Sequence, residues 1–140
     1  MKQITLWASC LLLLMTVGCA SSNKKLNPED YPMHVYDQPF DLVFKRAMEV
    51  LGSQPGWILN PTNKAAGVIE LTGTTYATWM DVDNQRARFI VRHVNRTQTS
   101  FEFDAAGSVC KDNSCHKLLD NVNQVLSALP PHIEVTKQQS

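Results

Sequence analysis

The chain has 140 residues, in which 13 Lys and Arg side chains balance 13 Asp and Glu side chains. A chain of this length builds one small domain around a single core. The balanced charge argues against a nucleic-acid-binding protein, which normally concentrates a basic excess on one face. After one N-terminal run, no stretch reaches the roughly 18 apolar residues that a membrane-spanning helix needs.

The first 18 residues have the layout of a secretory signal peptide. Lys2 gives a positive start, residues 4–17 form an apolar run, and small residues follow. The run is too short and too poorly flanked for a retained membrane helix, so we predict that residues 1–18 are removed. The remaining chain carries 12 basic and 13 acidic side chains, because the removed segment contains Lys2 and no acid.

The end of this signal resembles the lipobox of bacterial lipoproteins, in which a small residue precedes a cysteine that becomes acylated. The matching residues are 17–22 (VGCASS), although Thr16 stands where the family usually has Leu, Val or Ile. The resemblance implies that Cys19 carries the lipid, and several acyl chains on one residue anchor a protein durably. Because Ala20 rather than Asp follows the cysteine, it also implies sorting to the periplasmic face of the Gram-negative outer membrane.

The segment after the lipidated cysteine is polar, contains two prolines and has no hydrophobic periodicity. These features predict a flexible tether that, with the lipidated N-terminus, covers residues 19–37. At about 3.3 Å per residue, residues 21–37 would reach roughly 55 Å. The folded domain could then stand well away from the membrane.

Two amphipathic helices are predicted in the domain, which we place at residues 38–130. Apolar residues at helical spacing define them. The first stripe is Phe40, Val43, Phe44, Ala47, Met48 and Leu51, and the second is Leu118, Leu119, Val122, Val125, Leu126 and Leu129. Gly52 ends the first helix and Pro130 stops the second, so residues 131–140 remain as a C-terminal tail.

The sequence between the helices is rich in β-formers. Residues 57–59 and 67–72 flank a Pro/Asn turn and predict a hairpin, and residues 74–82 can continue the sheet. Residues 86–93 and 100–104 alternate apolar and charged side chains, which predicts a strand pair. Two registers keep the phenylalanines on one face, with paired residue numbers that sum to 192 or to 190.

Both registers place acidic side chains opposite the arginines. The sum of 192 pairs Arg88 with Asp104, whereas the sum of 190 pairs Arg88 with Glu102 and Arg86 with Asp104. We therefore interpret this face as a solvated surface with cross-strand ion pairs. The alternative interpretation is an anion-binding patch.

The order helix, strands, helix predicts an α+β fold, a two-layer sandwich of about four antiparallel strands and two helices. Together with the lipobox, this order resembles small uncharacterised lipoproteins of Gram-negative bacteria. That resemblance rests on the overall pattern and implies a location rather than an activity.

Three cysteines remain after the signal is removed, because Cys10 leaves with it. With Cys19 acylated, Cys110 and Cys115 form the one remaining pair, and in an oxidising periplasm we predict a disulfide between them. The segment 110–116 also resembles the C-x4-C-H variant of the cytochrome c motif, which implies covalent haem and His116 as its axial ligand. A catalytic thiol pair at a helix N-terminus is a third possibility.

No Ser/His/Asp arrangement, Gly-rich phosphate loop or metal-ligand spacing stands out in the sequence, so we predict no enzyme activity, cofactor or metal site. We expect a lipid-anchored binding or accessory module of the envelope, with the membrane and an envelope protein as partners. A monohaem redox lipoprotein is the alternative function. Tyr76, Trp79 and Met80 are predicted to be core, or, if exposed, to form a partner-binding anchor.

Overall fold

A computed structural model describes residues 26–74 and 85–131 of the chain. These residues contain, in chain order, the 3-10 helix Pro28–Asp30, β1 His34–Tyr36, α1 Phe40–Gly52, β2 Trp57–Leu59, β3 Val68–Gly73, β4 Arg86–His93, β5 Thr99–Phe103 and α2 Ser114–Ser127. The strands form one antiparallel sheet in the order β1-β5-β4-β3-β2. The predicted α+β class, with one antiparallel sheet and two helices, is confirmed, and the sheet has five strands rather than about four.

The core lies between the two helices and one face of the sheet. Alternation on β4 buries Ala87, Phe89 and Val91 while Arg86, Arg88 and Arg92 point away from the core. Both helices bury the centres of the apolar stripes that their spacing predicts. Phe40, Met48 and Leu129 are partly buried, Leu129 lies beyond the end of α2, and Val125 is exposed. The aromatic rings of Phe89 and Phe101 stack at the centre, with centroids 5.3 Å apart. Burial of this one apolar surface is the main force that holds the two layers together.

The register of the central strands is the one in which paired residue numbers sum to 192. Phe89 lies opposite Phe103 and Val91 opposite Phe101, and the Asp104 amide donates to the Arg88 carbonyl at 2.9 Å. The predicted hairpin is also present, since β2 pairs with β3 antiparallel. Of residues 74–82, which we expected to extend the sheet, only Thr74 lies within the described residues.

The fifth strand corrects the predicted tether. β1 pairs with β5 through His34, Val35 and Tyr36, and Tyr36 is only 8% exposed. The Tyr36 hydroxyl donates to Asn123 Oδ1 on α2. The prediction of a tether that extends to residue 37 is therefore wrong, because residues 34–36 form an edge strand and Leu26 and Tyr31 pack against the core. A strand of three residues is too short to show a period, and its partner lies far along the sequence.

Neither helix within residues 26–74 and 85–131 has the length and apolar character needed to cross a bilayer.

Candidate functional site

The strands run between two ends of the domain that differ in construction. We call one the disulfide end, which carries Tyr31, Cys110 and Cys115. We call the other the hairpin end, which carries the N-terminus of α1 at Phe40 and the β4–β5 turn that follows His93. The predicted site residues within the described ranges lie at the disulfide end, whereas the hairpin end contains a depression that the sequence did not indicate.

Cys110 and Cys115 form a disulfide, with their Cα atoms 5.9 Å apart. Cys115 lies in the first turn of α2 and is 0% exposed, within the same core as Leu118 and Leu119. Cys110 is half-buried and packs against the edge of this core. The bond therefore fastens the segment that follows β5 to the start of α2.

The segment that leads to Cys110 is held by β4. The Arg88 amide donates to Ser108 Oγ at 2.9 Å, and the same hydroxyl donates to the Asp104 carbonyl at 2.7 Å. Arg86 and Val109 then exchange two backbone hydrogen bonds, of 2.8 and 2.7 Å. The chain thus leaves the ladder after Asp104 and rejoins it at Val109, as in an extended β-bulge. This return places Cys110 beside α2.

An aromatic stack joins the N-terminal segment to the disulfide end. The Tyr31 ring lies 4.3 Å from the Phe103 ring and 4.2 Å from the His116 imidazole, centroid to centroid. Tyr31 is 5% exposed, and burial, together with the negative charge of Asp30, raises the pKa of its hydroxyl. Offset aromatic pairs of this kind contribute about 0.5–1.5 kcal/mol beyond area burial.

The same geometry does not fit covalent haem. Attachment requires both sulfurs and the His116 imidazole to face one macrocycle-sized space, but the sulfurs are bonded to each other and the imidazole is stacked on Tyr31. Cys115 is also fully buried, whereas a catalytic thiol must be accessible. The arrangement is that of a structural disulfide.

The hairpin end contains an open depression of about 630 Å³. Phe40, at the first position of α1, stacks on the His93 imidazole at the end of β4, with ring centroids 4.3 Å apart. Lys64 and Arg92 bring positive charge to the rim, and Asp41 brings negative charge. The result is a concave surface with an aromatic wall and a charged rim.

Ion pairs balance the charge around this depression. Lys64 Nζ lies 2.8 Å from Asp41 Oδ1, and Arg92 Nη1 lies 3.4 Å from Glu102 Oε2. The Lys64 hydrogen bond and its positive charge lower the pKa of Asp41, and the charge of His93 lowers it further. Lys64, Asp41 and Arg92 are exposed and Glu102 is half-buried, so solvent screens both pairs and each contributes little to stability.

Gly67 shapes one wall of the depression. Its φ is +67°, and a Cβ atom on this residue would lie 2.0 Å from the Val91 carbonyl oxygen. The Val91 amide donates to the Gly67 carbonyl at 2.8 Å, which holds the two backbones in close approach. Only glycine fits both the left-handed conformation and this distance.

The outer face of the sheet carries the predicted ion pairs. Arg88 Nε lies 3.5 Å from Glu70 Oε1 on β3 and 3.6 Å from Asp104 Oδ2 after β5. This nitrogen has no hydrogen-bond partner, so the contacts are electrostatic rather than directional. Arg88 and Arg92 are paired with acids, and Arg86 Nε donates to the Gly107 carbonyl. The solvated-surface interpretation is therefore preferred to an anion-binding patch.

Several predicted functional residues lie outside the described ranges, namely Cys19, Tyr76, Trp79 and Met80. Within residues 26–74 and 85–131, no three or more His, Cys, Asp or Glu side chains come close enough to hold a metal ion. The sequence did not indicate the ring contacts of Tyr31 or the stacking of Phe40 on His93, because both join side chains that are distant in the chain. The one feature of the sequence that could have indicated these contacts is that the aromatic residues lie close to the ends of strands.

The chain matches no protein-family model, and no curated protein matches it significantly.

Proposed function

We propose that this chain is a lipoprotein anchored through Cys19 to the periplasmic face of the outer membrane, and that its α+β domain is a non-catalytic binding or accessory module of the envelope. The observation that carries the anchoring is the lipobox-like segment 17–22, which ends an apolar signal. Acylation there would hold the protein at the membrane without the need for a spanning helix.

The disulfide supports the proposed compartment. Structural disulfides persist in the periplasm and are rare in the cytosol. Cys110 and Cys115 are joined across a short loop, and Cys115 is enclosed by the core. An exported protein meets the oxidising conditions that such a bond needs.

The depression at the hairpin end supports a role in binding. Concave surfaces with aromatic walls and a few polar groups are common ligand and partner sites. Phe40 and His93 form the wall, while Lys64 and Arg92 supply charged groups at the rim. We assign the contact with an envelope protein to this surface.

Metabolic labelling with a palmitate analogue tests the anchoring. We expect label on the wild-type chain and none on Cys19→Ala, because the acylated thiol is missing. Cys10→Ala is the matched control, since it removes a cysteine from the same N-terminal region, and it should retain the label. Labelling of Cys19→Ala at the wild-type level would overturn the anchoring proposal.

Photocrosslinking in living cells tests the binding surface. A photoreactive amino acid in place of His93 should give a discrete adduct with an envelope protein. The same amino acid in place of Gln124, which is exposed on α2, is the control and should give none. Equal adducts at the two positions, or none at position 93, would contradict the assignment.

A further inference from the structure

The N-terminal segment joins the domain at the disulfide end. Leu26 packs against the core, residues 28–30 form a 3-10 turn capped by Asn27, and Tyr31 is held between Phe103 and His116. His116 directly follows the disulfide-bonded Cys115. Any anchor on Cys19 therefore pulls on this end of the domain.

The link between anchor and domain is short. From Cys19 to Leu26 the chain advances seven residues, which span at most about 25 Å when fully extended. A chain of seven residues without fixed structure would average roughly 13–16 Å. The maximum of about 25 Å is less than half of the roughly 55 Å expected for a fully extended tether that reaches residue 37.

The length of β4 and of the turn that follows it separates the hairpin end from the Tyr31 stack. Tyr31 contacts Phe103, which pairs with Phe89, and the chain continues from Phe89 along β4 to the turn at Arg96. At about 3.3 Å per residue, the four steps from Phe89 to His93, where β4 ends, span roughly 13 Å, and the turn lies beyond them. To turn this end toward the bilayer, the link would have to run past the strands and extend beyond its average span, at a cost in chain entropy.

We propose that the disulfide end is a membrane-facing surface, held against the phospholipid headgroups by the short link, and that the hairpin end points into the periplasm. This inference rests on the proposed anchoring at Cys19. It makes the depression beside Phe40 and His93 accessible to periplasmic partners, while the bilayer restricts access to the disulfide.

The side chains at the disulfide end are compatible with a headgroup surface. Met33 is 55% exposed and Val109 is 52% exposed. The nearby chain segments also expose Lys111 and Lys117 and the acids Glu29, Asp30 and Asp112. Val94 at the hairpin end is exposed to a similar degree. Apolar exposure alone does not distinguish the two ends, so the orientation depends on the link.

Nuclear magnetic resonance of the anchored domain tests the orientation. The chain from residue 19 to 140, with its disulfide intact, is coupled through the Cys19 thiol to a maleimide phospholipid in nanodiscs. A lipid with a paramagnetic headgroup is then added, and amide line broadening is measured along the chain. We expect strong broadening at Glu29 and at residues 111–114, and little at residues 95–98.

A matched chain carries about 20 Gly and Ser residues between Ser22 and Asn23, which roughly doubles the average reach of the link. In this variant the difference between the two ends should disappear. Broadening at residues 95–98 that equals or exceeds that at Glu29 in the native-length chain would overturn the inference. A difference that persists after the insertion would overturn the role of the link.

Chemical coupling makes this test independent of natural acylation. The palmitate experiment on Cys19→Ala reports whether cells attach the lipid, whereas the nanodisc experiment reports which end an anchor at residue 19 holds near the bilayer. Failure of one does not imply failure of the other.

Discussion

The two ends of the domain both contain stacked aromatic side chains, but they differ in how far those side chains are enclosed. At the disulfide end, the Tyr31 ring is enclosed, because it lies between the rings of Phe103 and His116. The Cys110–Cys115 disulfide fastens the start of α2 beside this ring. At the hairpin end, Phe40 stacks on His93 beside an open depression with hydrated ion pairs at its rim. The comparison shows that one end is closed by ring packing and a covalent bond, whereas the other end leaves a concave surface open to solvent.

The largest expected effect is that of Tyr31→Ala. Removal of a buried aromatic side chain should lower the free energy of unfolding by about 3 kcal/mol. Phe40→Ala, at the open end, should cost only about 1 kcal/mol, because its ring is partly exposed. Urea denaturation measures both, and Tyr31→Phe is the control that keeps the ring and should be nearly neutral. If Tyr31→Ala and Phe40→Ala lowered the free energy of unfolding equally, the distinction between an enclosed end and an open end would be contradicted.

A second pair of variants compares the two positive-φ glycines, one at each end. Gly67→Ala should destabilise the fold by about 3 kcal/mol, because backbone strain is joined by a clash with the Val91 carbonyl. Gly56→Ala should cost about 1 kcal/mol, since its φ is +80° but no atom lies within 4 Å of the added Cβ. Thermal unfolding measures the stability of both variants. If Gly56→Ala destabilised the fold as much as Gly67→Ala, the close approach of the Gly67 and Val91 backbones would be contradicted.

Loss of the disulfide should have a moderate effect. The double variant Cys110→Ser with Cys115→Ala releases a short loop, and the chain-entropy model predicts a loss of about 2 kcal/mol. Urea denaturation of the wild type with and without a reductant checks the value without substitution. If reduction leaves the unfolding midpoint unchanged, the bond does not stabilise the disulfide end.

The ion pairs on the outer face should matter less. Arg88→Gln leaves Glu70 and Asp104 without their shared cation, at a cost of about 1 kcal/mol after allowance for solvent screening. The cost should shrink in high salt, because added ions weaken the repulsion between the two acids. A cost that is independent of salt would show that packing of the arginine stem, rather than its charge, is responsible.

The smallest effect concerns Asp41 at the hairpin end. Its pKa is lowered in the folded state, so it contributes stability above its unfolded pKa, and that contribution is lost as the pH falls through the lowered value. A carboxyl titration followed by nuclear magnetic resonance should show this lowered pKa. Lys64→Gln should return it toward the ordinary range, and an unchanged pKa in that variant would exclude Lys64 as the cause.

The parts of the fold that follow from the sequence are those with repeated local signals. Each helix has six apolar positions at helical spacing, and β4 alternates over eight residues, so a single odd residue does not obscure the pattern. The phenylalanines and arginines of the strand pair limited the register to two values. The structure distinguishes the two registers, because the hydrogen bond from the Asp104 amide to the Arg88 carbonyl forms only in the register that sums to 192.

The parts that the sequence did not indicate depend on contacts between distant residues. β1 has three residues, with no period to detect, and it is stabilised as an edge strand by β5 and by the bond from Tyr36 to Asn123. The depression likewise exists because a helix start, a strand end and a turn meet around Phe40. The pairing of Cys110 with Cys115 was predictable, because the two residues lie only five positions apart in the sequence.

The central claim is that the folded domain begins near Leu26, so that the link from Cys19 is short. Amide hydrogen exchange of the mature chain tests it most directly at β1. We predict that the His34–Tyr36 amides that face β5 exchange as slowly as those between β4 and β5. Exchange of all three at the rate of an unstructured peptide would restore the long tether and contradict the account.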